Sequence, residues 1–230
     1  LWHSAVQAAN RLTVRQFTQE YPVDILFQDQ CGARSWHYDT NPASPSPTAY
    51  SEGMIAMNDE DSRLVPIGTE NGWDRVANYQ TLLCGLSWGI VPTDHRPEWV
   101  RPFKASYPPD TWEIFPLAQA VMHDKAIFMH HDLGQFVTND RVLSWTLALG
   151  YSLSFRATAT ALSEQDAPRE WLAWLDRLQK SVCARYIGRP VRDFAHDRGP
   201  LFAAGGDPRR ESDDGVIRAV YGDVRLFCNL

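Results

Sequence analysis

The chain has 230 residues and a mass of 26.1 kDa, and 44% of its residues are hydrophobic, which is enough apolar material for a sizeable core. Its formal net charge is −6 and it has no long basic run, which argues against a nucleic-acid partner. No apolar stretch reaches the roughly 20 residues that a membrane helix needs, so we expect no membrane partner. The composition therefore predicts a folded domain whose ligand is neither a nucleic acid nor a membrane.

The two ends of the sequence predict that the chain is part of something longer. It begins at Leu1 instead of a methionine, and its last 16 residues have the pattern of a β-hairpin that stops in mid-strand. We therefore expect the remainder of a longer polypeptide, or a second chain, as a partner. The sequence leaves the cellular location open.

The first half of the chain carries two apolar runs that end in polar residues. Apolar residues at helical spacing predict a helix, and short β-favouring runs predict buried strands. Segments rich in Pro, Ser, Asn and Asp predict loops. In chain order we predict a helix over 4–20, a strand over 23–27 that ends in Gln28, Asp29 and Gln30, a loop over 32–62, a strand over 64–67 followed by Thr69 and Glu70, and a helix over 74–87.

The second half continues the alternation of helices and strands. An aromatic and Pro-rich loop is followed by further apolar runs, one of which ends in two histidines and an aspartate. In chain order we predict a loop over 88–112, a helix over 117–123, a strand over 126–129 followed by His130, His131 and Asp132, a helix capped by Asn139 and reaching 149, a strand over 151–155, and an amphipathic helix over 169–186.

This alternation predicts an α/β fold with a parallel sheet and helical crossovers. About four strand–helix units are present, which correspond to the second half of a (β/α)8 TIM barrel. We assign residues 1–188 to the C-terminal half of a barrel catalytic domain. Residues 189–230, where the alternation stops, are predicted to be a linker and the start of a β-rich accessory domain of the β-sandwich type.

Asp29 and Glu70 are the candidate catalytic carboxylates. Each follows the apolar residues of a predicted strand, and the C-terminal ends of barrel strands form the active-site face. Glycoside hydrolysis needs two such groups, one that attacks the anomeric carbon or activates water and one that protonates the departing oxygen. The competing structural interpretations are that Asp29 caps a helix or pairs with Arg34, and that Glu70 interacts with a helix dipole.

The cluster His130-His131-Asp132 is predicted to contact sugar hydroxyls, and Asp132 is an alternative acid/base. Adjacent histidines on a strand point to opposite faces, which disfavours a metal site. The cysteines are also far apart, without any CxxC spacing. We therefore predict no metal and no cofactor.

Aromatic residues in the predicted loops are candidates for stacking on the apolar faces of sugar rings. Trp36 and Tyr38 lie in the first loop, and Trp73 follows Glu70, where it has packing onto the sheet as an alternative role. The full set of predicted substrate-binding residues is Gln28, Arg34, Trp36, Tyr38, Trp73, His130 and His131.

Three strings, VDILFQDQCGAR, LVPIGTENGWD and FMHHDLGQ, together with the trailing YGDVRLFCN, give the sequence a family resemblance. It resembles the second half of the catalytic barrel in bacterial glycoside hydrolases, especially a glycosidase-like family similar to the retaining α-galactosidase and endo-α-N-acetylgalactosaminidase group. In that group an Asp on the fourth strand is the nucleophile and a later Glu or Asp is the acid/base. The resemblance implies that Asp29 is the nucleophile and Glu70 the acid/base, although Glu70 falls one strand earlier than the acid of the α-galactosidases.

The leading hypothesis is a retaining glycosidase that cleaves an O-glycosidic bond in a saccharide or glycoconjugate. Two alternatives remain open. One is a non-catalytic carbohydrate-binding module, and the other is a metal-dependent hydrolase that uses the histidine cluster with Asp29.

Overall fold

A computed structural model describes residues 4–33, 38–85, 115–130, 137–155, 166–197 and 215–229. The chain divides into two compact units, Leu1–Leu86 and Ser87–Leu230. Among the described helices, none combines the length and the apolar character that a bilayer crossing requires.

The first unit is built on a parallel sheet. Its elements are α1 (Ser4–Glu20), β1 (Leu26–Gln28), α2 (Ala49–Ser62), β2 (Ile67–Glu70) and β3 (Gln80–Cys84). Strand β2 lies between β1 and β3 and is parallel to both. The parallel pairing confirms the predicted parallel sheet, and helix α2 lies between β1 and β2 where the sequence predicted a loop. The core of this unit joins Val14 of α1 to Val65 and Ile67.

Strands β1 and β2 both lie further along the chain than the predicted ranges 23–27 and 64–67, so Gln28, Thr69 and Glu70 belong to the strands that they were predicted to follow. Two further sequence predictions in this unit are wrong. The predicted loop over 32–62 contains the helix α2, whose buried face includes polar residues such as Asn58 and Asp61, so it lacks the apolar periodicity that marks a helix. The predicted helix over 74–87 is instead the 3-10 turn Asp74–Val76 followed by β3. Strand β3 contains only three consecutive apolar residues, Leu82, Leu83 and Cys84, and so short a run fits a buried strand as well as a helix segment.

The second unit combines helices, one short strand and an antiparallel sheet. Its elements are α3 (Leu117–Met122), β4 (Ile127–Met129), α4 (Asp140–Ala148), α5 (Asp166–Leu178), the π turn Gln179–Cys183, α6 (Ala184–Tyr186), β5 (Val191–Asp197), β6 (Val216–Tyr221) and β7 (Val224–Asn229). The predicted cap of α4 is confirmed, because the Asn139 side chain accepts a hydrogen bond from the Val142 N–H at 3.0 Å. The strand predicted over 151–155 is not formed as a regular strand.

The antiparallel sheet has the order β5-β6-β7, and β6 and β7 form the predicted hairpin. Its inner face contributes Ala219 and Tyr221 to a core with Cys183 and Tyr186. The Tyr221 hydroxyl donates to the Ala148 carbonyl at 2.6 Å, which joins β6 to the end of α4. The mixed α/β class with a parallel and a separate antiparallel sheet is thus established, whereas the domain boundary at residue 188 stays a prediction.

Candidate functional site

The structure places Asp29 and Glu70 at the same edge of the parallel sheet, within the first unit. The last registered pair of β1 and β2 is Gln28 with Thr69. Asp29 follows β1 in a turn, and Glu70 is the last residue of β2. Neighbouring strands lie about 4.7–4.9 Å apart. Asp29 is exposed, whereas Glu70 is 8% exposed. An exposed carboxylate and a buried one therefore lie at the ends of two neighbouring strands.

The backbone bends in the same unusual way after each carboxylate. Gln30, which follows Asp29, has φ of 58°, and Asn71, which follows Glu70, has φ of 53°. These are the positive-φ residues other than glycine in the described part of the chain. Non-glycine residues rarely adopt this left-handed conformation, and such residues cluster at functional sites.

Thr69 connects the two loops that follow the carboxylates. Its hydroxyl accepts a hydrogen bond from the Gly32 N–H at 2.9 Å and lies 3.3 Å from the Glu70 carbonyl, to which it donates. Gly32 packs so closely on Thr69 that a Cβ atom at position 32 would lie 2.6 Å from the Thr69 Cγ2. The chain after Asp29 is thereby held against the residue that precedes Glu70.

Helix α2 presents a polar face to the end of β1. Asp61 is fully buried, and its Oδ2 accepts hydrogen bonds from Gln28 Nε2 at 2.7 Å and from Asn10 Nδ2 at 2.6 Å. Asn58, also fully buried, donates from Nδ2 to the Cys31 carbonyl at 3.1 Å. The predicted substrate-binding residue Gln28 is therefore bonded to α2 through its side-chain amide.

The pKa of the Cys31 thiol is affected by the carboxylates near the candidate nucleophile, Asp29. Burial, followed by the negative charges of Asp61 and Asp29, raises the pKa of its thiol to about 11. The thiol is therefore protonated at neutral pH. Both carboxylates lie close enough to Cys31 to affect it.

The predicted aromatic ligands are only partly covered by the described residues. Tyr38 is 70% exposed, and Trp73 is 41% exposed at the residue before the 3-10 turn. Exposed rings of this kind are available to a ligand. Arg34 and Trp36 lie outside the described residues.

In the second unit the structure describes one member of the His130-His131-Asp132 cluster. His130 is 1% exposed, its ring stacks on Tyr151 with centroids 5.0 Å apart, and its Nε2 lies 2.7 Å from the Thr146 hydroxyl oxygen. Burial lowers the pKa of His130 to about 4, so the ring is neutral at pH 7. His131 and Asp132 lie outside the described residues. No group of three or more His, Cys, Asp or Glu residues with metal-binding geometry occurs among the residues that the structure describes.

Sequence reasoning missed Asn58 and Asp61 because it assigned them to a loop. A signal was present, since Ser51, Asn58 and Asp61 recur at intervals of seven and three residues, which places them on one face of a helix. All three are fully buried. A polar stripe at helical spacing beside a strand-end carboxylate is therefore the pattern that could have identified this helix.

Comparisons with known proteins give similar structures but no similar sequences. No protein-family model matches the chain, and no curated protein matches it. Among solved structures, the chain is similar to the ligand-free α-N-acetylgalactosaminidase NagBb from Bifidobacterium bifidum, with a TM-score of 0.59 and 15% identity over 97% of this chain and 32% of that chain. The GalNAc complex of NagBb gives a TM-score of 0.57 and 14% identity over 96% of this chain and 34% of that chain.

These similarities show a shared fold. The chain spans about a third of the length of the solved chains that it matches.

Proposed function

We propose that this chain supplies the catalytic nucleophile and the acid/base of a retaining glycosidase. The observation that carries the proposal is the position of Asp29 and Glu70, which follow a registered residue pair at one end of two parallel strands. Retaining glycosidases need carboxyl groups about 5–5.5 Å apart, whereas inverting enzymes need about 6.5–9.5 Å. The backbones of neighbouring strands lie about 4.7–4.9 Å apart, which allows a carboxyl pair of this kind, and we propose the retaining mechanism on the family resemblance of the sequence.

In the first step the Asp29 carboxylate attacks the anomeric carbon and the glycosidic C–O bond breaks. Glu70, protonated at the start, gives its proton to the departing oxygen, so that a covalent glycosyl-Asp29 intermediate and a free alcohol are formed. In the second step the Glu70 carboxylate takes a proton from water, and the water oxygen attacks the anomeric carbon. Asp29 leaves as a carboxylate and Glu70 is protonated again.

The similar solved structures support both the barrel and a substrate class. The matched region belongs to chains about three times as long, so we assign this chain to the second half of a (β/α)8 barrel that the remainder of a longer polypeptide, or a second chain, completes. Those structures carry the description α-N-acetylgalactosaminidase, and one contains GalNAc. We take an α-linked N-acetylgalactosaminide as the substrate class, with the exposed rings of Tyr38 and Trp73 as stacking surfaces.

The test is hydrolysis of 4-nitrophenyl N-acetyl-α-galactosaminide by the polypeptide that carries this chain. We expect Asp29→Asn to lower kcat by about 10³-fold or more, because the covalent step loses its nucleophile. We expect Glu70→Gln to lower kcat/KM by about 10²–10⁴-fold on alkyl glycosides, which need a proton on the departing oxygen. With the 4-nitrophenyl leaving group, the loss in the first step is smaller.

Asp24→Asn is the matched control, because Asp24 is an exposed carboxylate that precedes β1. It is expected to keep wild-type kinetics. Wild-type turnover by Asp29→Asn would overturn the proposal. Sugar binding without any hydrolysis by the wild-type protein would favour a carbohydrate-binding module instead.

A further inference from the structure

Helix α2 holds the chain on both sides of Asp29. Before it, the Gln28 side chain donates to the Asp61 carboxylate at 2.7 Å. After it, the Cys31 carbonyl accepts from the Asn58 amide at 3.1 Å. Asn58 and Asp61 are three residues apart on one helix face, so both contacts come from a single rigid element.

The burial of polar atoms on this helix face lowers the stability of the fold unless they are hydrogen-bonded. A carboxylate that is removed from water destabilises a fold unless hydrogen bonds or charges compensate it. Asp61 is fully buried, yet its Oδ1 has no hydrogen-bond partner among the described residues. The amides of Gln28 and Asn10 compensate Oδ2, whereas nothing among the described residues compensates Oδ1, so the carboxylate is only partly compensated.

The backbone beside Asp29 needs such contacts. Gln30 adopts a positive φ of 58°, a conformation that persists only where the surrounding structure holds it in place. The contacts of Gln28, Cys31 and Gly32 fix the chain on either side of this residue. Because Asp29 lies within the same short segment, these contacts also hold the backbone that carries its carboxylate.

We propose that Asp61 and Asn58 of α2 are positioning residues that hold the Asp29 carboxylate in place for attack on the sugar. This inference rests on the proposed function, because it assigns α2 a part in the same reaction. Asp61 acts through Gln28, and Asn58 acts through the Cys31 carbonyl.

The kinetic test compares Asp61→Leu with Asp61→Asn in the polypeptide that carries this chain. Leu removes the acceptor of the Gln28 amide, and we expect kcat to fall by about 10²-fold with KM within threefold of wild type, because a displacement of about 1 Å has this effect on chemistry. Asn keeps one carboxamide oxygen, which is all that Gln28 and Asn10 use, so we expect kcat within about threefold of wild type. Equal kcat values for the Leu variant and the wild type would overturn the proposal.

Glu60→Gln is the matched control, because Glu60 is the neighbour of Asp61 on α2 and forms an exposed ion pair with Arg11 of α1 at 2.7 Å. It alters a contact between α1 and α2 without touching β1, and is expected to leave kcat and KM unchanged. A fall in kcat as large as that of Asp61→Leu would show a general effect of loosening the helix pair and would overturn the positioning role.

A second readout does not depend on catalysis. Cys31 is the single cysteine of the tryptic peptide between Arg15 and Arg34, so its alkylation by iodoacetamide at pH 8 can be followed by mass spectrometry. Asp61 raises the pKa of this thiol, so Asp61→Asn is expected to increase the alkylation rate severalfold. Asp61→Leu, which also frees the segment, is expected to increase the rate at least tenfold, whereas Glu60→Gln leaves it unchanged.

The two readouts separate the two proposals. If the wild-type protein has no hydrolytic activity but Asp61→Leu is alkylated faster, the glycosidase proposal is rejected. The contacts by which α2 fixes the Asp29 segment are then still supported. If the wild-type protein is active but the alkylation rate of Asp61→Leu is unchanged, the proposal that α2 fixes the Asp29 segment is rejected, and the glycosidase proposal stands. Folding of each variant is checked by its thermal unfolding midpoint. If Asp61→Leu does not fold, Asp61→Ala takes its place with the same expected outcomes, because Ala also removes the acceptor of the Gln28 amide and needs less space.

Discussion

At the residue scale, Thr69 joins the segments that carry the two carboxylates. Its hydroxyl accepts from the Gly32 N–H at 2.9 Å and donates to the Glu70 carbonyl. A hydroxyl has one proton and can accept as well as donate, so a single side chain satisfies both partners. The Thr69 hydroxyl is therefore one of the contacts that hold the segments of Asp29 and Glu70 together.

Gly32 tests this contact. A Cβ atom at position 32 would lie 2.6 Å from the Thr69 Cγ2, so we expect Gly32→Ala to lower the free energy of unfolding by about 1–3 kcal/mol. Thr69→Ser removes the Cγ2 methyl and keeps the hydroxyl, so Gly32→Ala should cost less in that background. Urea unfolding of the two single variants and the double variant measures the coupling. Additive effects would show that the close approach does not determine the local packing.

The residues of the candidate site differ in how far the sequence could identify them. Asp29 and Glu70 were identifiable because each follows an apolar run, and the structure places both at one sheet edge. Their catalytic roles stay predictions. The left-handed conformation of Asn71 has a local signal, since Asn adopts it more readily than most residues and the pair Asn71-Gly72 is typical of a turn. The same conformation of Gln30 has no such signal in the sequence.

At the element scale, α1 and α2 show what a hydrophobic pattern can and cannot predict. Helix α1 was predicted with its observed bounds, Ser4–Glu20, because apolar residues recur along it and Pro22 follows its end. Helix α2 was missed because Asn58 and Asp61 occupy its buried face. Strand β3 was predicted as part of a helix because its short apolar run, Leu82 to Cys84, does not distinguish a buried strand from a buried helix segment.

The end of β4 and helix α4 pack together through a neutral histidine. The Thr146 hydroxyl donates to the Val142 carbonyl at 2.6 Å, so its oxygen accepts from the Nε2–H of His130 at 2.7 Å. This arrangement matches the neutral ring that burial favours, with a pKa of about 4. Protonation of His130 would place a charge in the core of the second unit.

His130 therefore predicts a pH dependence of stability. Its folded pKa of about 4 lies below the usual value of 6.5, so the unfolded chain binds the proton more readily. The stabilisation is complete above pH 6.5 and is lost as the pH falls from 6.5 towards 4, with a loss of about 2–3 kcal/mol between pH 7 and pH 4.5. Urea unfolding of His130→Gln at these two pH values should show a correspondingly smaller loss. The same loss in variant and wild type would contradict the assignment.

At the scale of the whole molecule, the sequence predicted the mixed α/β class and the change to antiparallel strands near the C-terminal part. The parallel sheet of the first unit and the hairpin of β6 and β7 confirm these features. Closure of a barrel depends on strands beyond the four predicted here, so no pattern within this chain could establish it. Similarity to about a third of a longer glycosidase chain supports the barrel as a proposal.

The account depends on Asp29 as the residue that bonds to the sugar. The most direct measurement is trapping with an N-acetylgalactosamine-configured cyclitol epoxide, followed by mass spectrometry of the tryptic peptide between Arg15 and Arg34. We predict that the label forms an ester with the Asp29 carboxylate and that Asp29→Asn is not labelled while Asp24→Asn is. An ester on Glu70, Asp132 or any other carboxylate, in a protein that hydrolyses the substrate, would contradict the account.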